Sequence, residues 1–339
     1  MPQALIIGGT GMIGRATAKR LLASGWGVDV TGRDPAHLPA DVAGARFIAA
    51  DRGAPDQLAA AMGAGVDLLV DCICYTATDA ALLKPLLPDA GSTVLISSKA
   101  VYVDAAGNHS NSDTAPDFDG PIHETQPTMA PGDGDHNTRE GYGANKVAAE
   151  RVLLDSGAPV TVLRPSRVHG PGATRPREWF FVKRVLDRRP AVLLSRPTDV
   201  VHTTATANIA ALIETAAAKP GRRILNSADP DAPNALAISR AIAGHLGHTW
   251  HEVLLADDET LGRHPWQAQH PVVLDTSAAV ALGYQPAGDF ATTVADEIDW
   301  LVSATRPPID EYFASLFDYA AEDRYLADHG ELRDLEESR

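Results

Sequence analysis

A glycine-rich turn near the amino terminus constrains the fold of this chain more than any other feature. The apolar run Ala4–Ile7 predicts a buried strand, residues 8–14 read GGTGMIG, and helical spacing starts at Ile13. Such glycines let the backbone turn tightly and approach a pyrophosphate, while the helix N-terminus supplies free N–H groups. A simple glycine turn is the alternative, but the first strand–helix junction favours a dinucleotide site. The candidate phosphate-binding residues are Gly8, Thr10, Gly11, Met12, Ile13 and Gly14.

The first half of the chain alternates short apolar runs with helical patterns. This alternation is typical of a parallel sheet covered on both faces, and right-handed crossovers then predict a doubly wound (Rossmann) α/β fold. Residues 103–141 interrupt the pattern and are interpreted either as a lid or as a mobile surface insertion. Strands are predicted at Ala4–Ile7, Val28–Thr31, Arg46–Ala49, Asp67–Cys74, Thr93–Ser97 and Val160–Leu163, and helices at Ile13–Ser24 and Tyr142–Leu154.

After Pro165 the strand–helix rhythm is lost, which predicts a smaller C-terminal substrate-binding lobe. We expect the dinucleotide-binding domain to comprise residues 1–165 plus about 201–228, and the second lobe to comprise 166–200 plus 229–339. Helices are predicted over 234–246, capped by Asn234, and over 276–282. Trp179 and Trp266 are interpreted as core rather than as the floor of a sugar site. The acidic segment 310–339 is predicted to be helical, with aromatic residues that pack or form an interface at Tyr312, Phe313, Phe317 and Tyr319.

Composition excludes several classes of function. The 339 residues carry 29 Lys and Arg against 44 Asp and Glu, a formal charge of −15 that argues against nucleic acid or anionic membranes as partners. No apolar run reaches the roughly 18 residues of a membrane span, and no basic start suggests a signal peptide. Two cysteines, Cys72 and Cys74, make neither a disulfide framework nor a zinc cage, and no metal site is predicted. We therefore expect a cytoplasmic protein.

Three side chains have the chemistry and spacing of an acid–base site. Tyr142 and Lys146 are four residues apart on a predicted helix, so both lie on one face. A nearby cation is expected to lower the pKa of the tyrosine and make it an acid–base group near neutral pH. Ser98 follows a predicted parallel strand, where a hydroxyl faces the ligand crevice; its alternative role is a turn cap.

The residues after the second and third strands bear on the choice of cofactor. An NAD site usually has a carboxylate after the second strand, but this chain has Gly32 and then Arg33. A guanidinium suits a 2′-phosphate, so NADP is favoured, with NAD as the alternative because Asp34 could reach the ribose. Asp51 is expected either to meet the adenine or to cap the next helix.

Together these motifs resemble the extended short-chain dehydrogenase/reductases, the NAD-dependent epimerase/dehydratase family. The matching segments, in the order typical of that family, are GGTGMIG at 8–14, SSKAVY at 97–102, YGANK at 142–146 and RPSRVHGPG at 164–172. The resemblance implies that Tyr142 is the acid–base residue, that Lys146 lowers its pKa and holds the nicotinamide ribose, and that Ser98 is the catalytic hydroxyl. It also implies a homodimer formed through the Tyr–Lys helix. Further implied cofactor contacts are Cys72, Cys74, Ser97, Pro165 and Ser166.

The chain departs from the family pattern near the expected substrate. Lys99 and Ala100 stand where sugar dehydratases carry Asp-Glu, which argues against dehydration. Arg167 stands where sugar-nucleotide enzymes usually have Asn, and 201–204 lacks the arginine that clamps a diphosphate. Arg167, or else Arg175 and Arg177, could supply that cation, or these arginines could be surface or structural residues. The candidate substrate contacts are Tyr75, Lys99, Arg167, His169 and His202, the two histidines having structural hydrogen bonding as their alternative.

Three functions follow in decreasing order of expectation. The first is an NADP-linked oxidoreductase acting on a ketone or secondary alcohol, such as a sugar or a natural-product intermediate. The second is a sugar epimerase with tightly bound NAD, which needs no acid beyond the tyrosine. The third is a regulator that senses NADP without turnover, and the Tyr142–Lys146 pair argues against it.

Overall fold

Seven parallel strands form the central sheet of the computed structural model, which describes residues 1–256, 261–303 and 311–329. The strands are β1 Gln3–Ile7, β2 Gly27–Gly32, β3 Arg46–Ala49, β4 Val66–Asp71, β5 Ala90–Ile96, β6 Val160–Pro165, β7 Arg167–His169, β8 Ala191–Ser195, β9 Thr203–Ala205, β10 Arg223–Ser227 and β11 His251–Leu255. The spatial order in the central sheet is β10-β6-β5-β4-β1-β2-β3, so the predicted doubly wound Rossmann fold is confirmed.

Helices cover both faces of this sheet because its strands are apolar on both sides. Helices α1 and α6 pack on each other over one face, and α3 and α4 pack on each other over the opposite face. No helix among the described residues combines the length and apolar character of a membrane span. The helices are α1 Met12–Ala23, α2 Pro55–Met62, α3 Ala77–Leu83, α4 Arg139–Leu154, α5 Trp179–Leu186, α6 Thr206–Ala218, α7 Ala235–His245, α8 Ser277–Ala281, α9 Phe290–Thr293, α10 Ala295–Ser303, α11 Glu311–Ala314 and α12 Tyr319–Asp328.

Two small parallel sheets, β7–β9 and β8–β11, lie outside the central sheet and were not predicted. Strands β7 and β9 have three residues each, too few for an alternating or apolar run to stand out in the sequence. The predicted strand Asp67–Cys74 also ends earlier, at Asp71, because the Asp71 carboxylate accepts a hydrogen bond from the Ile73 N–H and turns the chain. The cysteines therefore follow the strand.

A separate apolar core supports the C-terminal part of the chain. Trp179 and Trp266 are 3% and 1% exposed, which confirms their assignment to the core. Phe313 and Phe317 pack against the same core, as expected of aromatic packing residues. Asn234 caps α7 as predicted. The domain boundaries stay a prediction, and the Tyr312 side chain and residues 304–310 and 330–339 lie outside what the structure describes.

The long segment between β5 and α4 is organised by one carboxylate. Asp104 accepts hydrogen bonds from the N–H groups of Ala106, Asn108 and Asp117, at 2.8–2.9 Å. Farther along, Glu124 accepts the Asn226 N–H and so joins the segment to the end of β10. The segment is thus held to the body of the protein at several points, which disfavours the interpretation as a mobile insertion.

A buried ion pair fixes α4 against the sheet. The Arg164 guanidinium on β6 donates to both carboxylate oxygens of Glu150 on α4, at 3.0 and 2.5 Å, and both side chains are almost fully buried. Ser97 Oγ, after the end of β5, donates to the same carboxylate. Glu150 therefore joins one helix to two neighbouring strands.

We expect Arg164→Met to destabilise the protein by about 3–5 kcal/mol, because it leaves the Glu150 carboxylate buried without its charged partner. Arg240→Met is the matched control: it breaks an exposed bidentate pair with Glu252 and is expected to cost about 1 kcal/mol or less. Urea unfolding followed by tryptophan fluorescence measures both. Equal losses in the two variants would contradict the role given to Glu150.

Candidate active site

The glycine-rich turn leaves an open space at the N-terminus of α1. Gly8 has a φ of +78°, and a Cβ on Gly14 would lie 2.4 Å from the Gly8 carbonyl oxygen, so both positions require glycine. Gly11 is the N-cap of α1, and no side chain caps this helix. A Cβ on Gly11 would have its nearest protein neighbour at 3.5 Å. The free N–H groups and the space beside Gly11 fit a pyrophosphate.

The chain after β4 runs beside this turn. The Cys72 N–H donates to the Ile7 carbonyl at 3.0 Å, and the Cys74 thiol is fully buried. Burial raises the pKa of the Cys74 thiol to about 12, and it raises the pKa of Cys72 as well, so both stay protonated at neutral pH. Cys72 lies beside the turn at Gly8, and its cofactor contact stays a prediction. The Ser97 hydroxyl donates to Glu150.

Lys146 connects α4 to the carboxyl ends of two strands. Its ammonium donates to the carbonyl oxygens of Cys74 at 2.8 Å and Ile96 at 3.0 Å, and its side chain is buried. The same nitrogen lies 4.4 Å from the ring centre of Tyr75 and 5.9 Å from that of Tyr142. Burial lowers the pKa of Lys146, and nearby acidic groups offset part of that shift.

The pKa of Tyr142 corrects one prediction. The sequence predicts a lowered pKa, but burial raises it above the ordinary value, and the hydrogen bond with Ser98 offsets only part of the rise. The Lys146 ammonium is committed to two main-chain carbonyls and does not reverse the shift. The phenol is therefore protonated at neutral pH and able to donate a proton.

The Ser98 side chain caps a turn and also lines a cavity. Its Oγ accepts the Ala100 N–H at 3.1 Å and so caps a short turn. The same side chain reaches Tyr142 and lines a cavity of about 440 Å³, within the usual size range of small-molecule sites. The cavity also brings together four of the predicted cofactor and substrate contacts, namely Met12, Lys99, Ser166 and Arg167.

Tyr142 and Tyr75 line an adjoining cavity of about 470 Å³. Asn111 contributes to both cavities, so the segment after β5 forms a wall common to the two. In the second cavity the ring of His136 stacks on Tyr75 at 5.3 Å between centres. The segment thus covers the Tyr–Ser pair, in keeping with its interpretation as a lid. Pro165 ends β6 beside Ser166 and is buried.

The two candidate histidines point into the protein. His169 Nε2 lies 3.0 Å from Asp229 Oδ2, and His202 Nε2 lies 2.8 Å from the Asp229 carbonyl oxygen. His202 Nδ1 also accepts the Leu274 N–H. Neither histidine lines either cavity. Both therefore have the structural hydrogen-bonding role that the sequence analysis gave as the alternative. No sequence motif singled out Asp229, which organises this group.

Arg33 is exposed after β2, whereas Asp34 accepts the Ala36 N–H and caps a short turn. Asp51 is also exposed, and its carboxylate accepts the Gly53 N–H. It does not cap α2, since Ala54 is the N-cap of that helix. The neighbouring Arg52, which the sequence analysis missed, is buried in ion pairs with Asp71 and Asp79.

A buried acidic cluster supports the loop after β7. His169, Glu178 and Glu297 each bring one potential metal-binding atom within 4.8 Å of the others, although no metal site is predicted from the sequence. Burial and the adjacent Glu178 raise the pKa of Glu297, which favours the protonated form of its carboxyl group. Glu297 accepts the Gly170 N–H and thereby fixes this loop.

We expect Gly11→Ala to raise the dissociation constants of NADH and NADPH about tenfold or more, because its methyl group would fill the space left for a pyrophosphate. Its free energy of unfolding should change by about 1 kcal/mol or less, since the backbone of Gly11 is extended. Calorimetric titration and urea unfolding measure these effects.

Gly244→Ala, in an open position on α7, is the control and should leave both dissociation constants unchanged. Unaltered affinity in Gly11→Ala would contradict the placement of the pyrophosphate.

Comparison with known proteins agrees with the fold. The chain is similar in structure to UDP-glucose 4-epimerase from Stenotrophomonas maltophila with bound NAD and formylated UDP-arabinopyranose: TM-score 0.68, 18% identity, 89% of this chain and 98% of that one covered. It is also similar to dTDP-glucose 4,6-dehydratase from Bacillus anthracis in complex with NAD: TM-score 0.66, 15% identity, coverage 89% and 97%.

A third similar structure is the NAD complex of UDP-glucose 4-epimerase from Thermus thermophilus, with a TM-score of 0.64, 17% identity, and coverage of 89% of this chain and 100% of that one. At these identities the likeness establishes the fold. No curated protein matches the chain. The family model for the NAD dependent epimerase/dehydratase family matches residues 4–222, well over half of the sequence. The chain therefore belongs to the NAD-dependent epimerase/dehydratase family.

Proposed function

We propose that the protein is an NAD(P)-dependent oxidoreductase that interconverts a ketone and a secondary alcohol. Membership in a nicotinamide-dependent family makes an enzyme the expected role. The observation that carries the proposal is the contact of Ser98 with a protonated Tyr142, one helical turn from Lys146 and beside two cavities. A regulator that only senses the cofactor would have no need of this arrangement.

The residues at the carboxyl edge of the sheet fit a dinucleotide. The turn at 8–14 would hold the pyrophosphate, and Lys146 would hold the nicotinamide ribose. When bound, the nicotinamide supplies or accepts a hydride. Ser98 would orient the substrate oxygen, and Tyr142 would donate its proton to that oxygen as negative charge develops there. The Lys146 ammonium would then stabilise the phenolate that remains.

We propose reduction as the working direction, because the Tyr142 phenol is protonated at neutral pH. A phenol that is protonated at neutral pH is ready to act as an acid toward a carbonyl oxygen, whereas oxidation of an alcohol needs the phenolate. Lys99 and Ala100 supply no carboxylate for dehydration. A small-molecule substrate, a homodimer formed through α4 and a cytoplasmic location are parts of the same proposal.

Epimerisation with a retained NAD is the second candidate. Two of the similar structures described above are named as epimerases, and epimerisation needs no acid beyond Tyr142. The two candidates differ in how they treat the cofactor. An epimerase recycles its NAD in place, whereas a reductase must release the oxidised cofactor after each turnover.

NADP is the favoured cofactor. Arg33 is exposed directly after β2, where its guanidinium could pair with a 2′-phosphate. The carboxylate of Asp34 is committed to the Ala36 N–H, which makes it a poorer partner for the ribose of NAD. Both observations favour NADP over NAD.

We expect Arg33→Gln to raise the dissociation constant of NADPH about tenfold, because a charged partner of the phosphate is lost. The dissociation constant of NADH should stay within about twofold. Calorimetric titration of both nucleotides measures the difference, with Arg46→Gln, an exposed arginine on β3, as the control. An equal effect on the two nucleotides would contradict a role in phosphate recognition.

We expect freshly purified protein to release less than stoichiometric nucleotide on denaturation, measured by mass analysis, as befits a cofactor that dissociates. Stoichiometric NAD would favour epimerisation over reduction.

Tyr142→Phe should lower carbonyl reduction about 100-fold or more while dinucleotide affinity stays unchanged. Tyr325→Phe, distant in the fold on α12, is the control. Full turnover by Tyr142→Phe would overturn both enzymatic functions.

A further inference from the structure

Three buried side chains next to the loop 170–177 have the donor atoms of a metal site. His169 ends β7, Glu178 is the N-cap of α5, and Glu297 lies on α10. Each is at most 3% exposed, and one donor atom from each lies within 4.8 Å of the other two. Donor atoms bound to one zinc ion at about 2.0–2.2 Å lie at most about 4.4 Å apart, so small side-chain movements would bring all three onto one ion.

The Asp229 carboxylate determines which nitrogen of His169 faces this cluster. It accepts hydrogen bonds from the Thr203 hydroxyl, the Ala205 N–H and the Asn208 amide, at 2.6–2.8 Å. These donors favour the ionised carboxylate, which can only accept, so His169 Nε2, 3.0 Å away, is the donor nitrogen. In the neutral ring the lone pair is then on Nδ1, the nitrogen directed at the cluster. Histidines that bind metals are commonly oriented by a carboxylate in this way.

The Nδ1 atom of His169 is buried and has no hydrogen-bond partner in the part of the chain that the structure describes. Its distance to Glu297 Oε2 is 3.7 Å, too long for a hydrogen bond, and that oxygen accepts the Gly170 N–H at 2.7 Å instead. An imidazolium would leave the Nδ1 proton equally unpartnered. Because buried polar atoms are almost always hydrogen-bonded or bound to a metal, this nitrogen points to a ligand.

The charges around the ring favour a cation as that ligand. The carboxyl groups of Glu178, Asp229 and Glu297 are all buried close to His169. Arg177 is near enough to interact with Glu297 and offsets part of this negative charge. Buried carboxylates are normally paired with cations or bound to metals. One imidazole nitrogen with two carboxylates is a donor set that suits Zn²⁺.

The cluster joins the two ends of a loop, residues 170–177, that borders the candidate active site. His169 precedes this loop and Glu178 follows it. A Cβ on Gly172 would lie 3.8 Å from Met12 Cα, so the loop reaches the predicted phosphate-binding turn. Several loop residues also line the cavity of about 440 Å³. An ion in the cluster would therefore fix the shape of a loop that borders both places.

We propose that His169 Nδ1, Glu178 and Glu297 bind one divalent transition-metal ion, Zn²⁺ by preference, in a closed structural site. The ion would tie both ends of the loop to α10. It would not touch the substrate, since its three ligands are buried and line neither of the cavities beside Tyr142. The site does not depend on the reaction proposed above and can be tested without turnover.

The test is the removal and return of metal in the full-length protein. Chelator-treated, dialysed protein is titrated with Zn²⁺ or with Mg²⁺, with bound metal measured by mass spectrometry and the melting temperature by calorimetry. We expect one tightly bound Zn²⁺ per chain and a melting temperature raised by a few degrees, because an ion that binds only the folded state stabilises it. Mg²⁺ should bind at least about tenfold more weakly, because imidazole is a poor ligand for it.

Glu297→Gln should raise the dissociation constant of Zn²⁺ about 100-fold or more. The metal-free variant should still fold, because the neutral amide can accept the Gly170 N–H. Glu178→Gln should weaken binding similarly and serves as a second variant. Asp299→Asn is the matched control: it removes an exposed carboxylate of α10 beside His245, where zinc could bind adventitiously, and should leave the tight site within about twofold.

Two results would overturn the proposal. One is a wild-type protein that binds no stoichiometric Zn²⁺, in which case the two glutamates only share a proton. The other is equal Zn²⁺ affinity in the wild-type protein and a folded glutamine variant, since the ion would then lie elsewhere. Carbonyl reduction enters neither measurement, so failure of the metal site and failure of the proposed function are distinguishable.

Discussion

The position of Tyr142 depends on two charged side chains that fasten α4 to the carboxyl edge of the sheet. One turn beyond Tyr142, the Lys146 ammonium reaches two main-chain carbonyls at neighbouring strand ends. One turn farther, the Glu150 carboxylate accepts hydrogen bonds from the Arg164 guanidinium and the Ser97 hydroxyl. Both attachments are buried, where hydrogen bonds to charged groups are strong and their loss is costly. The phenol is therefore carried on a rigid element, as the proposed acid–base role requires.

Much of this architecture could be predicted from the sequence because its signals are local. The apolar runs of the first half depend on neighbouring residues and predicted the central sheet, which the structure confirms. The turn at 8–14 is equally local and predicts a phosphate site. The Tyr142–Lys146 spacing likewise needs only the helical repeat. The same logic identified Ser98 at a strand end. A resemblance to one family added the roles of these residues.

The features of the site that the sequence did not predict depend on contacts between distant parts of the chain, and no local sequence pattern reveals such contacts. Asp229 is 60 residues from His169 in the sequence, yet their side chains form a hydrogen bond. His169 is therefore a structural residue and not the substrate contact that the sequence suggested. The pKa of Tyr142 depends on burial, and a four-residue spacing says nothing about burial. The meeting of His169, Glu178 and Glu297 likewise joins the end of a short strand to two helices.

The segment between β5 and α4 is folded largely by its own residues, through the hydrogen bonds that Asp104 accepts. It supplies Ser110 and Asn111 to the cavities but none of the residues proposed to hold the dinucleotide or to move the proton. The wall over the Tyr–Ser pair and the residues proposed for catalysis therefore come from different stretches of the chain. Such a division lets substitutions accumulate in the segment, and change which molecules are accepted, while the reaction itself is preserved.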